Sequence, residues 1–94
     1  MIVSLEEAKQ HLRVEHEEDD DILTTYLQQA QAAAEDYCRE TFEDEAAEPV
    51  RLAVLLMASH FYEHRDSSDS NAYATMMEAF HALLYPHRKI EEMF

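Results

Sequence analysis

The sequence predicts an all-α protein, a small bundle of four to five helices. Apolar residues recur at helical spacing in separate stretches along the chain. There is no glycine anywhere, which disfavours the tight primed turns on which β-hairpins depend. The stretches between the periodic segments are short, polar and rich in residues that start helices. At 94 residues the chain makes one domain. The helical unit spans 1–86 and a tail spans 87–94. So short a chain buries a modest fraction of its surface, so an isolated monomer is expected to be marginally stable.

The first helix follows Val3 and Ser4. Ser4 and Glu7 form a capping box, in which each side chain serves the other's backbone amide. Leu5, Ala8 and Leu12 share one face, and Val3 and Ala8 make a small hydrophobic staple. The linker from Glu15 to Asp21 holds Glu15, Glu17, Glu18, Asp19, Asp20 and Asp21, six carboxylates in seven positions. Asp19 or Asp20 is the expected cap of the second helix, and the other acids suit its positive end.

That second helix runs from Ile22 to about Cys38. Leu23, Tyr26, Leu27, Ala30, Ala33, Ala34, Tyr37 and Cys38 form its apolar stripe. Alanines at 30, 32, 33 and 34 let another helix approach closely, while Gln28, Gln29, Gln31, Glu35 and Asp36 form the expected wet side. Cys38, the one cysteine, reads as a buried free thiol, because its acidic neighbours are the wrong sign to activate it.

An acidic loop, 43–48, leads to Pro49, which suits a helix start. The third helix reaches about His64, and its stretch 52–58 is apolar nearly all round. Such a helix needs cover on a second side, so a subunit interface is expected through Leu52, Leu55, Leu56 and Phe61. The loop 66–71 precedes a fourth helix capped by Ser70 or Asn71. Tyr73, Met76, Met77, Phe80, Leu83 and Leu84 form its stripe, and Pro86 ends it. The tail after it is either a frayed end or a segment that orders on a partner.

The charge narrows the function. The net charge is −14, with 15 acidic and 3 basic residues in 1–48 against 6 and 4 in 49–94. A surface like the first half repels the nucleic-acid backbone. It suits a passage through which DNA slides without sticking, a mimic of DNA that occupies a basic site on a partner, or a face that keeps the protein soluble. Without glycine there are no phosphate-cradling loops of the Walker or Rossmann kind. The longest apolar run falls far short of the roughly 20 residues a membrane span needs. Met1-Ile2-Val3 is followed at once by acids, unlike a secretory leader. A protein made in a cytoplasm, without membrane contact, is expected.

One catalytic pattern occurs. His60-Phe61-Tyr62-Glu63-His64 matches the H-x-x-E-H arrangement of inverted zincins. Two histidines one helical turn apart can share a zinc ion with a glutamate as base. A catalytic site also needs a third ligand placed by a large scaffold, and after His64 only Glu78 and His81 are possible ligands. No catalytic residue, metal or cofactor is expected.

Taken in order, several pieces of the chain resemble one family. They are Ser4-Leu5-Glu6-Glu7-Ala8-Lys9, His11-Leu12-Arg13-Val14, Asp20-Asp21-Ile22-Leu23 leading through Tyr26-Leu27 to Glu35-Asp36-Tyr37, Pro49 to Arg65, and Ala82 to Arg88. The family is the head–tail connectors, or adaptors, of long-tailed phages and prophages. The resemblance implies a non-enzymatic virion component, made in the bacterial host and placed at the head–tail junction. It implies a ring of about twelve subunits, with the portal protein and a tail-completion or stopper protein as partners and DNA passing through unbound. It also implies a portal contact by the C-terminal segment, here His87, Arg88, Ile90, Met93 and Phe94. The acids from Glu15 to Asp21 are the expected channel region. One departure stands out. Relatives often carry a glycine just after the second helix, where this chain reads Cys38-Arg39-Glu40-Thr41, so the path of residues 39–48 stays open.

Overall fold

The computed structural model describes residues 1–65 and 69–89. Four α-helices follow one another: α1 (Leu5–Leu12), α2 (Asp20–Cys38), α3 (Glu48–Glu63) and α4 (Ser70–Leu84), with a 3₁₀ turn over Tyr85–His87. There is no strand among the described residues. α3 is the central helix. It packs along α2 on one side and α4 on the other, while α2 and α4 barely meet. α1 lies across the pair made by α2 and α3.

The core follows the predicted stripes, except that Tyr73 of the expected α4 stripe is exposed. Leu23, Leu27, Ala30, Ala34 and Cys38 of α2 are buried against Val50, Ala53, Val54, Met57 and Ala58 of α3, and Met76, Phe80 and Leu84 of α4 close the other side. Val3 and Ala8 are buried in the same cluster. Alanines at the α2–α3 contact leave little side chain between the helices and permit the close approach.

Helix starts follow local chemistry, with two corrections. The capping box forms as expected. The Ser4 hydroxyl accepts from the Glu7 amide at 3.1 Å, and the Glu7 carboxylate accepts from the Ser4 amide at 3.3 Å. α4 is capped not by Ser70 or Asn71 but by Asp69, whose carboxylate accepts from the Asn71 and Ala72 amides at 3.0 and 3.1 Å. Asp, Ser and Asn are nearly equal caps, so composition does not discriminate among three in a row. α2 starts at Asp20, two residues before Ile22, and Asp19 holds the cap position without a side-chain cap bond.

Helix ends show how a chain without glycine stops a helix. Arg13 and Arg39 take the left-handed conformation, with φ of 59° and 57°. In each case the next amide reaches back five residues, Val14 to the Lys9 carbonyl at 2.9 Å and Glu40 to the Glu35 carbonyl at 3.1 Å. This is the Schellman closure that glycine usually supplies. α2 therefore ends at Cys38 without a glycine.

The wet side of α2 also needs correction. Gln28, Gln29 and Asp36 are exposed, but Gln31 and Glu35 are partly buried. Gln31 accepts from the Ile2 amide at 2.9 Å and donates to the Phe42 carbonyl at 3.0 Å. Glu35 accepts from the Phe42 amide at 2.9 Å. These two side chains bind the N-terminus and the 39–48 connection to the middle of α2.

Candidate functional site

The acidic linker divides into two parts. Glu15, Glu17, Glu18 and Asp21 are exposed, while Asp19 and Asp20 are partly covered and engaged. The Tyr62 hydroxyl donates to the Asp19 carboxylate at 2.6 Å, and Arg65 approaches the same oxygen at 3.3 Å. Those two donors, Tyr62 first, hold the Asp19 carboxyl below the usual aspartate range, and Asp19 in turn pushes the Tyr62 phenol up. Lys9 pairs with Asp20 at 2.7 Å, joining α1 to the start of α2. So the six carboxylates are not one equivalent set: four meet solvent, and two fix the linker to the ends of α1 and α3.

The four expected interface residues fall on different faces. Leu52 is 49% exposed on the outer edge of α3. It lines a shallow cleft with Leu55, Val3, Glu7, Glu48 and Arg51. Arg51 pairs with Glu7 and Glu48 beside it and donates to the Ile2 carbonyl at 3.1 Å. Leu55 and Leu56 are half-buried against the core. Phe61 points the other way, 5.8 Å from the Tyr26 ring.

Two larger clefts follow the seam between α2 and α4. One, of about 410 Å³, is lined by Tyr26, Tyr73, Phe61, His60 and His64 and rimmed by Arg65. The other, of about 490 Å³, lies two turns further along α2, lined by Ala33, Tyr37, Met77 and His81, with Arg39, Arg88 and Asp36 at its end. Tyr37 stacks on His81 at 4.6 Å, and the Arg88 guanidinium lies 4.8 Å from the Tyr37 ring.

Sequence reasoning missed this seam. Its signal is present in the spacing of Tyr73, Met77 and His81 at i, i+4 and i+8, which is a second face of α4 beside the buried one.

The two histidines of the H-x-x-E-H pattern stack at 4.5 Å. Burial, and then the neighbouring His64, holds the His60 imidazole below its usual range. Among the described residues, no three His, Cys, Asp or Glu side chains gather to hold a metal ion. Cys38 is fully buried, with its sulfur 3.9 Å from the Leu84 carbonyl, and burial pushes its thiol up, away from the reactive thiolate.

At the C-terminal end, His87 and Arg88 are half-buried. The Lys89 amide donates to the Cys38 carbonyl at 2.9 Å and its ammonium pairs with Glu40 at 3.2 Å. Residues 87–89 are thus tied to the end of α2. Ile90, Met93 and Phe94 lie outside the described residues.

The described residues thus form a small helical bundle whose linker acids are partly engaged and whose helix faces carry several clefts. The chain matches the family described as "Phage gp6-like head-tail connector protein" over residues 2–90. It belongs to that family, whose members are structural components of phage virions. Neither a curated protein nor a solved structure matches it. No helix among the described residues is long and apolar enough to cross a membrane.

Proposed function

We propose that the chain is a non-enzymatic ring component that sits beneath the portal and joins the DNA-filled head to the tail. The observation that carries this reading is the family match across residues 2–90. In the ring, about twelve copies surround the path of the DNA and contact the portal on one side and a tail-completion protein on the other. Glu15, Glu17, Glu18 and Asp21 face the channel. They are exposed and like-charged with DNA, so they keep the wall from binding it. Asp19 and Asp20 act one step back, holding the linker that presents the other four. The α3 residues Leu52, Leu55, Leu56 and Phe61 supply subunit contacts. The segment from His87 onward, with Ile90, Met93 and Phe94, meets the portal, and Arg88 holds its root against Tyr37.

The test is the mass of the chain in solution across a concentration series, alone and mixed with purified portal rings, by native mass spectrometry. Closed rings of about a dozen copies, or that number bound per portal, support the reading. A chain that stays monomeric in both mixtures overturns it.

A further inference from the structure

The seam between α2 and α4 has the form of a receptor for a helix edge. Both helices pack on α3 and barely touch each other. Tyr26, Ala33 and Tyr37 line one wall, and Tyr73, Met77 and His81 the other. The two clefts together span α2 from Tyr26 to Tyr37, roughly 16 Å at 1.5 Å per residue, about three helical turns. A ridge of side chains from a further helix would complete a four-helix arrangement around it.

The charge at one end of this groove selects the occupant. In a chain with 21 acidic and 7 basic residues, most basic side chains are already committed. Lys9 pairs with Asp20, Arg51 with Glu7 and Glu48, Arg65 with Asp19, and Lys89 with Glu40. Arg39 and Arg88 line the groove end beside Asp36 and, like Arg13 elsewhere, make no ion pair among the described residues, so two bases face one acid there. The same molecule carries an apolar and acidic edge beside a shallow cleft, where Glu48 also pairs with Arg51. On the outer edge of α3, Glu48, Leu52 and Leu55 follow at i, i+4 and i+7, with Leu52 half-exposed and Glu45 exposed just before the helix.

We propose that the α2–α4 groove of one copy receives the Leu52/Leu55 edge of α3 from a second copy, with Glu45 and Glu48 of the incoming copy meeting Arg39 and Arg88. The two surfaces differ, so the contact is head-to-tail, the kind that builds a ring where its rotation closes rather than a two-fold dimer. This rests on the ring reading above and says which faces meet in it. It also explains why Phe61 points away from Leu52, because Phe61 belongs to the receiving groove.

Two measurements test it on the full chain under the conditions in which the wild type assembles. In the first, Leu52→Cys and Met77→Cys variants are mixed and oxidised. Cys38 stays in place because it is fully buried. A cross-linked pair in the mixture, absent from either variant alone, is expected. In the second, Arg39→Glu and Glu45→Arg, both at exposed positions, are each expected to weaken assembly about tenfold, with assembly restored on mixing the two. Helix content unchanged by circular dichroism excludes misfolding. Wild-type rings with neither the mixed cross-link nor any effect of charge reversal overturn the groove contact and leave the connector reading standing. A wild type that assembles neither alone nor on a portal overturns both.

Discussion

Arg13 and Arg39 occupy a conformation that costs an ordinary L-residue roughly 1–2 kcal/mol, because Cβ crowds the backbone there. Both helices nonetheless end cleanly, since the five-residue-back hydrogen bond and the packing beyond it over-determine the turn. Arg13→Gly and Arg39→Gly should therefore each stabilise the protein, by about 1 kcal/mol after the added freedom of the unfolded chain is discounted. Urea unfolding measures it, and a lowered midpoint in both variants would show that the arginine side chains contribute more than their backbones cost. Tyr62 makes the complementary case, a residue whose value depends on pH. Asp19 has its pKa lowered in the folded state, chiefly by the Tyr62 hydroxyl. Its contribution is thus complete above the unfolded value of 3.8 and fades as pH falls through the lower folded value. Tyr62→Phe should lower the melting temperature at neutral pH, and the gap to wild type should narrow below about pH 3. A gap that is constant down to about pH 2 would mean that Tyr62 acts by packing and not through Asp19.

At the scale of the elements, the bundle depends on small residues where helices cross and one large residue where they splay. Ala34 is fully buried on α2, facing α3. Ala34→Leu should push the helices apart and cost about 1–3 kcal/mol. Phe80 is the largest fully buried side chain, fixing α4 on the core. Phe80→Ala should cost about 3–5 kcal/mol, a large share of the stability of so small a domain. Thermal melts with circular dichroism read both, and near-neutral effects would mean that these contacts are not the ones that order α4 and α2. These elements were legible in the sequence because their causes are local. Ser4 and Glu7 are three residues apart, and the stripes of α2 and α4 repeat every turn. The corrections arise where the cause is distant. Asp19 takes the cap position but gives its side chain to Tyr62, 43 residues away. Gln31 turns from solvent to bind Ile2, 29 residues away. The α2–α4 seam and its two arginines emerge only once α3 has set the helices side by side. The repeat of Tyr73, Met77 and His81 marks a second face on α4, but periodicity in one helix does not say which helix stands across from it.

For the whole molecule, electrostatics at two ranges decides assembly. Each copy carries a net charge of −14, so bringing a dozen or so together around one axis is opposed by repulsion among all of them. The proposed contact opposes this with a few arginine–glutamate pairs and the burial of Leu52 and Leu55. The two terms respond differently to salt. At about 0.01 M ionic strength the screening length is roughly 30 Å, comparable to the span of a small domain, whereas at about 0.15 M it is roughly 8 Å. Added salt in that range removes most of the repulsion between copies, while charges in contact and partly desolvated are screened much less. The leucine contact is unaffected at these concentrations. Ring formation should therefore strengthen as salt rises from about 0.01 M to about 0.15 M, the reverse of what a contact made mainly of salt bridges would do. Duplex DNA should show no binding across the same range, since the chain offers its phosphates few unengaged cations. Sedimentation velocity at fixed protein concentration and stepped salt measures the first, and a labelled duplex in the same samples measures the second. Rings that fall apart as salt rises would place ion pairing above apolar burial in holding the subunits together. DNA that co-sediments with the rings would remove the acidic wall from the proposed channel.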